Sequence, residues 1–495
     1  MAPIRILKVA LDTPLDFLFD YGWAVEEGAP EPQVGQFVMV PFGRRETTGL
    51  IVDIVAASDL PPEKLKLALA VRTQLAPLSG QWIALCRFAS EYYQRPLGEV
   101  AVPGVPRNLR AENPVSLNRA LKKIAQDRPA PDATPAGMPP LNPAQRQAAD
   151  AVADAVGFAP MLLYGVTGSG KTEVYLQAAS QILAREPAAQ VLILIPEINL
   201  TPQLENNIRA RFPGLMVATL HSGLAEGERM FHWLAAHLGH ASIVLGTRLA
   251  VLASLPQLRL IIIDEEHDPS YKQQEGLRYS ARDLGVWRAR QLGIPVLLGS
   301  ATPSLESWHH AQSRRYRKLE LRERAVRDAV LPAVRLIDME RDKPAEGLTS
   351  TLVSALKQRL EQGEQSLLFL NRRGYAPVLG CDACGWVSNC TRCTAFMVLH
   401  RPEHRLRCTT AAWRCAYRAA ARPAAMSTCS RWGAARSGWK KTCSGCFRQR
   451  ASCASTPIRP AGKAAPRPRS TACTTAKSTS WSAPRWSPRD TTSRT

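Results

Sequence analysis

The chain has 495 residues, 45% of them hydrophobic, and a formal net charge of +21, which allows two to four domains. No apolar run reaches the ~18 residues of a membrane span. The opening MAPIRILKVALDTPLDFLF carries an early acid and no cleavage-type signal, so membrane and secreted classes are set aside and a cytoplasmic location is expected. The charge is unevenly placed. Residues 409–495 hold 17 of the 63 Lys+Arg and one of the 42 acids, leaving 46 and 41 in residues 1–408, a net of +5 there. A case for nucleic-acid binding by the folded part must therefore come from local motifs.

In chain order, residues 4–103 alternate strand-like runs and turns. VGQFVMVPFG and TGLIVDIVA read as strands around a turn at Gly43–Thr47, and WIALCRFASEYY has helical apolar spacing. A small α+β domain is expected. Residues 104–140, with DRPAPDATPAGMPP, have linker composition. From 141 to 321 short apolar runs, MLLYGV, VLILIP, SIVLGT, LIIID and IPVLLGSAT, are separated by amphipathic stretches. That pattern predicts an α/β fold with a parallel sheet covered on both faces. A helix at 351–362 and the strand SLLFLN open a second, incomplete α/β unit over 322–380, followed by a cysteine module at 381–408. Residues 409–495 contain no Leu and no Val; such a stretch buries too little surface to offset the entropy of ordering, and disorder is expected.

Four motifs carry chemistry. Gly165-Val-Thr-Gly168-Ser-Gly170-Lys171-Thr172 fits G-x-x-x-x-G-K-[ST] between a strand and a helix, where backbone N–H groups and the helix N-terminus favour phosphate. Lys171 is expected at the β- and γ-phosphates and the Thr172 hydroxyl on Mg²⁺. A glycine-rich turn without a ligand is the bland alternative. Asp264-Glu265-Glu266-His267 follows the strand LIIID; Asp264 is placed to hold Mg²⁺ and Glu265 to polarise the attacking water. A solvated acidic turn is the alternative there. Gly299-Ser300-Ala301-Thr302-Pro303 follows another strand, and Ser300 and Thr302 are expected at the nucleotide site, coupling it to a moving neighbour. Cys381-x2-Cys384-x5-Cys390-x2-Cys393 supplies two knuckles for tetrahedral Zn²⁺. The five-residue gap is short for one closed site, so the pairs are expected to serve two ions.

GVTGSGKTEVYLQ, IPEINLTPQ, LHSGLAEGER, IIIDEEHDPSYKQQEG, LGSATPSLES, LFLNRRGYAP and CDACGWVSNCTRC together resemble the primosomal protein N′ (PriA) family of superfamily 2 replication-restart DNA helicases. The resemblance covers about residues 4–408 apart from the linker. It implies an ATP-dependent 3′→5′ helicase that recognises stalled forks and reloads the replicative helicase. Branched and single-stranded DNA, primosome proteins, single-strand DNA-binding protein and the helicase loader are the implied partners, and ATP, Mg²⁺ and Zn²⁺ the implied cofactors. The first domain then resembles a 3′-end DNA-binding domain with contacts at Phe19, Asp20, Tyr21 and the Gly43 turn. The residues alone equally admit Phe19 and Tyr21 as members of a small core. Gln145 resembles the family's adenine contact, an exposed helix-start Gln being the alternative. Tyr271 and Lys272 fall in a segment resembling its aromatic-rich, DNA-sensing loop, though Leu277 stands where an aromatic is usual.

Three departures follow. The space for the family's winged-helix domain holds only residues 104–140. Ala411 stands where a cysteine partner of Cys408 belongs. No GRAGR-like segment, and hence no arginine finger worth about 10³–10⁵ in rate, follows Cys408. An ATP- and fork-DNA-binding protein without motor activity is accordingly the second reading; a metabolic kinase is disfavoured by the motif order. The Ala-, Arg-, Pro- and Ser-rich composition after Cys408 matches GC-rich DNA read out of frame. Translating the coding DNA beyond codon 408 in its other two frames is expected to yield C-x2-C pairs and a GRAGR-like segment; finding them in neither frame refutes the frameshift.

Overall fold

The computed structural model describes residues 4–24, 31–110, 114–126, 140–196 and 202–325, then 332–339, 341–342, 344, 348–368, 378–381, 387–400, 405–408, 410–416, 429–432 and 480–481. The chain divides into two units, Met1–Val330 and Leu331–Thr495.

The first unit opens with strands β1 (Ile4–Ala10), β2 (Phe19–Ala24), β3 (Phe37–Phe42), β4 (Arg45–Val55), β5 (Lys66–Leu67) and β6 (Ala70–Val71), in the sheet order β5-β2-β1-β4-β3-β6. Period-two patterning puts apolar side chains on both faces. Leu7, Val9, Val38, Val40 and Ile51 close a small core on one side, while Ala10, Phe37, Leu50 and Val52 face helix α1 (Gly80–Tyr93) on the other. Ser79 caps α1, its hydroxyl accepting from the Trp82 N–H at 3.2 Å. The β3–β4 turn is tighter than expected. Phe42 pairs with Arg45, so the turn is Gly43–Arg44 and Thr47 already lies in β4. Gly43 has φ +64° and Arg44 is not among the positive-φ residues, the pattern of a two-residue hairpin turn with glycine at its first position.

The expected linker is partly structured. After α2 (Leu97–Ala101) come α3 (Arg107–Arg110) and α4 (Pro114–Gln126). Ala120 and Ile124 are buried in one core with Phe231 and Trp233, and the Lys123 ammonium lies 4.5 Å over the Phe231 ring. The overall Pro content hid a helical pattern at Leu117, Ala120, Leu121 and Ile124. Pro114 begins its helix, a position that tolerates proline.

The lobe follows as α5 (Pro143–Ala153), β7 (Pro160–Gly165), α6 (Lys171–Arg185), β8 (Gln190–Leu194), α7 (Pro202–Arg211), β9 (Met216–Leu220), α8 (Glu226–His237), β10 (Ala241–Gly246), β11 (Leu258–Asp264), α9 (Ala281–Leu292), β12 (Val296–Ser300), α10 (Leu305–Gln312) and β13 (Arg317–Leu321). Its seven strands are parallel, ordered β13-β7-β12-β11-β8-β10-β9. Met161, Leu163 and Ile262 pack with α5 and α6; Leu162, Ile261 and Ile263 pack with α8 and α9. The five long apolar runs are the five inner strands, β7, β12, β11, β8 and β10. The strands β9 and β13 escape sequence reading because each is a short edge; in β13 only Leu319 and Leu321 are buried.

Domain and lobe share one core. The Trp82 indole N–H donates to the Leu252 carbonyl at 2.7 Å. The Phe88 and Trp287 rings stack at 4.3 Å and 8°. His237 lies 2.9 Å from both the Ala76 carbonyl and the Ser254 hydroxyl, and burial lowers its pKa.

The second unit contains α11 (Ser350–Glu361), β14 (Ser366–Leu367), β15 (Val378–Cys381) and an antiparallel sheet of β16 (Val398–His400), β17 (Arg405–Arg407) and β18 (Arg414–Ala416). The last strand corrects the expectation of disorder from Thr409. Order extends at least to Ala416, because Arg414–Ala416 completes backbone pairing with β17. Most of the remaining tail lies outside the described residues, as do the motifs at 369–377.

Trp82 is 2% exposed and anchors domain to lobe. Trp82→Ala is expected to lower the unfolding free energy by about 3–5 kcal/mol, read as a drop in the urea midpoint at unchanged slope. A loss below about 1 kcal/mol, the size of a typical surface change, contradicts that anchoring.

Candidate functional site

The three lobe motifs end three neighbouring strands. The loop 165–172 leaves β7, the 299–303 segment leaves β12 and the acidic box leaves β11, in that spatial order. Parallel pairing puts all three exits on one edge, where α/β sheets bind ligands.

Gly168 and Gly170 have φ +79° and +77°, a backbone that side chains disfavour and that turns successive N–H groups toward one concavity. Gly170 caps α6 and Lys171 is its first residue. The Lys171 ammonium donates to the Gly165 carbonyl at 3.1 Å and lies 3.8 Å from the Glu265 carboxylate. Thr172 is exposed on the same first turn. The Ser169 hydroxyl is buried without a hydrogen-bond partner among the described residues.

Asp264 ends β11, and burial raises its pKa, opposed by a hydrogen bond from Tyr175. The Tyr175 hydroxyl donates to Asp264 Oδ1 at 2.9 Å. Tyr175 is the residue that sequence reasoning missed. Its position four residues after Lys171, on the same helix face, was the available signal. Its phenol also explains Gly299: a Cβ there would lie 1.6 Å from the hydroxyl. Glu265 follows at φ +44°, an uncommon conformation outside glycine. Glu266 is a brace. Its carboxylate is fully buried, accepting from the Ser304 N–H at 2.7 Å, the Ser304 and Ser307 hydroxyls at 3.0 and 2.9 Å, and Arg282 at 3.2 Å.

Ser300 and Thr302, expected at the nucleotide, instead hold His267. The Ser300 hydroxyl is 2.8 Å from His267 Nδ1 and accepts the Thr302 N–H; the Thr302 hydroxyl is 3.4 Å from His267 Nε2. These contacts tie the acidic box to the end of β12. Gln145 is 3% exposed, not an exposed helix-start residue. Its oxygen accepts from the Asn142 N–H and its amide donates to the Ser169 carbonyl at 2.9 Å. It therefore braces the phosphate loop.

The donor set fits a magnesium nucleotide. A concavity of N–H groups and an ammonium face two adjacent carboxylates and an exposed hydroxyl, the hard oxygen ligands that Mg²⁺ takes. Asp264, Glu265, Lys171, Thr172 and the three loop glycines are brought together as expected.

The expected DNA contacts are brought together less well. Tyr21 is 4% exposed in the domain core, its hydroxyl donating to the Pro41 carbonyl. Asp20 is occupied by Lys8 at 2.9 Å and by the Ser58 hydroxyl. Phe19 is half-buried, 4.7 Å from exposed Phe17 and 5.4 Å from Phe42, beside the open Gly43 turn. Of this set Phe19 and Gly43 are offered to a ligand; the structure corrects Tyr21 to a core residue. Tyr271 is likewise corrected. It is 2% exposed and donates to the Asp264 carbonyl at 2.6 Å. Exposed Lys272 lies 5.0 Å over the Tyr93 ring. Among the zinc candidates, the Cys390, Cys393 and Cys408 sulfurs lie within 4.8 Å of one another. Cys384, and all but the backbone of Cys381, lie outside the described residues.

The 3′DNA-binding domain family (3′BD) matches residues 8–106, and the DEAD/DEAH box helicase family matches residues 142–310. The replication restart protein PriA of Haemophilus influenzae is 35% identical over 474 residues, covering 82% of this chain and 64% of the relative. PriA of Bacillus subtilis is 45% identical over 251 residues, 50% of this chain and 31% of the relative. The chain thus spans less than two thirds of these relatives' length. Among solved structures, the DUF1998 helicase MrfA bound to DNA aligns over 53% of this chain and 38% of its own, at 16% identity and a TM-score of 0.36. Among the described residues no helix is long and apolar enough to cross a membrane. The chain thus carries a 3′ DNA-binding domain ahead of a DEAD/DEAH box helicase lobe and, over most of its length, is similar to the replication restart proteins PriA.

Proposed function

We propose that this protein is a cytoplasmic, ATP-dependent 3′→5′ DNA helicase that acts at stalled replication forks to reload the replicative helicase. Fork and single-stranded DNA, primosome proteins, single-strand DNA-binding protein and the helicase loader are its partners, and ATP, Mg²⁺ and Zn²⁺ its cofactors. The observation that carries the reading is the Lys171 ammonium 3.8 Å from Glu265, on a phosphate loop in a chain with a 3′ DNA-binding domain. Lys171 would meet the β- and γ-phosphates, moving from the Gly165 carbonyl. Thr172 and Asp264 would hold Mg²⁺, which when bound neutralises phosphate charge as a Lewis acid. Glu265, set back beside His267, would orient and polarise the attacking water. Tyr175 keeps Asp264 ionised and aimed.

One observation favours a narrower activity for this chain. Residues 409–495 carry 17 Lys+Arg, a single acid and neither Leu nor Val, a composition poor in core-forming residues for a second motor lobe. ATP and fork DNA are then bound without efficient unwinding. A strand-displacement assay on a 3′-tailed fork separates the two. The narrower reading expects binding of fork and nucleotide with little displacement. Rapid DNA-stimulated hydrolysis and displacement, both lost in Lys171→Ala, would overturn it in favour of the full motor.

The raised pKa of Asp264 sets a pH dependence. The carboxylate must be ionised to hold Mg²⁺, so protons compete with the metal at a pH above the ordinary Asp value of about 3.9. Magnesium-dependent nucleotide binding is expected to be half lost above that pH. Tyr175→Phe removes the hydrogen bond that favours the ionised form and should move the midpoint higher still. Fluorescent-nucleotide titrations across pH read this directly; an unmoved or lowered midpoint in Tyr175→Phe contradicts the assignment.

A further inference from the structure

Among the described residues, the cysteine module of the second unit brings three sulfurs, those of Cys390, Cys393 and Cys408, within 4.8 Å of one another, where a closed tetrahedral site needs four ligands. Both knuckle turns are nevertheless built. The Arg392 N–H donates to Cys390 Sγ at 3.4 Å, and the Ala411 N–H donates to Cys408 Sγ at 3.3 Å. Such N–H···S bonds favour thiolates and fix their direction. The Cys393 and Cys408 sulfurs are 3.4 Å apart, near the ~3.8 Å edge of a tetrahedron whose metal–sulfur distance is about 2.3 Å. At the fourth corner the Cys408 turn presents Ala411, whose methyl cannot ligate.

A fourth sulfur lies one strand further on. Cys415, in β18, pairs with Leu406 of β17. Paired positions of antiparallel strands project to the same face, and so do positions two apart on one strand. Cys415 and Leu406 therefore share a face; Cys408 directly follows β17, and Leu406 and Cys408 are both fully buried. Cys415 packs against the core formed by Cys390, Met397, Leu406 and Cys408, its sulfur 3.9 Å from the Met397 thioether. The hairpin that brings it there is tied by the Cys408 N–H to the Trp413 carbonyl at 2.8 Å and by the Arg392 guanidinium 4.0 Å over the Trp413 ring. A change of side-chain rotamer moves a cysteine sulfur by roughly 3 Å without disturbing the strand.

We propose that Cys415 replaces the missing ligand, so that Cys390, Cys393, Cys408 and Cys415 form one four-thiolate site for Zn²⁺ or another thiophilic divalent ion. The site stands on the second unit alone and does not depend on the nucleotide reading.

The test uses the full chain, purified metal-free under a phosphine reductant that leaves no disulfides, and titrated with Co²⁺ as a spectroscopic probe. The wild type is expected to show the intense visible bands of tetrahedral cobalt with charge transfer from four thiolates. Cys415→Ala should lose about one part in four of that charge-transfer intensity, shift its visible bands to shorter wavelength, and bind the ion at least about tenfold more weakly. Cys415→His should restore tetrahedral cobalt with three sulfurs and one nitrogen. Ala411→Cys combined with Cys415→Ala should restore four sulfurs, which shows that the Cys415→Ala fold is intact. Cys390→Ala should abolish the signal, while Cys86→Ala, in the first unit, should leave it unchanged. A four-thiolate spectrum that survives Cys415→Ala overturns the proposal by assigning the ligand to another cysteine. A three-thiolate spectrum already present in the wild type overturns it equally.

Discussion

Lys171 reaches the acidic box because β7 and β11 flank the same strand, β12, and all three run parallel. Residues some ninety positions apart in sequence then end on one edge of the sheet, with the ammonium 3.8 Å from Glu265. Everything else at the site adjusts this meeting. Gly170 lets the loop enter α6 at once, and the phenol of Tyr175 crosses beneath β12 to Asp264. Gly299 leaves β12 open for that crossing, since any side chain there would collide with the phenol. One buried carboxylate, Glu266, ties the box to the start of α10 through three donors and to α9 through Arg282, the kind of satisfied network that holds a single geometry.

The lobe was legible because a buried parallel sheet writes itself as continuous apolar runs, and the phosphate loop because its glycines, lysine and hydroxyl sit at fixed spacing between strand and helix. Roles decided by burial were not legible. Nothing in the string separates Tyr21, packed inward with its hydroxyl on Pro41, from Phe19, left at the surface beside Phe17 and Phe42. Tyr271 sits in a polar, loop-like segment, yet its ring is buried and its hydroxyl bonds the Asp264 carbonyl. Ser300 and Thr302, expected at the nucleotide site, bond His267 of the acidic box, a pairing the string does not announce. The helix α4 was masked because composition over a window of prolines averages away a local periodicity of three to four residues.

The DNA-binding domain is not a loose attachment. Its helix α1 contributes Trp82, Phe88 and Tyr93 to the lobe, and the Tyr93 hydroxyl accepts the Ser280 N–H at 3.1 Å while Arg95 donates to the Gly276 carbonyl. The 271–280 segment is thus gripped by α1 on one side and by the Asp264 carbonyl on the other. The 3′ DNA-binding domain and the segment beside the Asp264 carboxylate thus share one packed path; under the proposed function that path would link DNA occupancy to nucleotide affinity.

The claim on which the rest depends is that the β7 loop and the β11 box form one site for a magnesium nucleotide. Isothermal calorimetry of the full chain with a non-hydrolysable ATP analogue, with and without Mg²⁺, tests it directly. The account expects saturable, one-to-one binding that Mg²⁺ strengthens, that Lys171→Ala removes, and that Asp264→Ala leaves weak and indifferent to the metal. Equal affinity in wild type and Lys171→Ala, or no binding by a folded wild type, would contradict it.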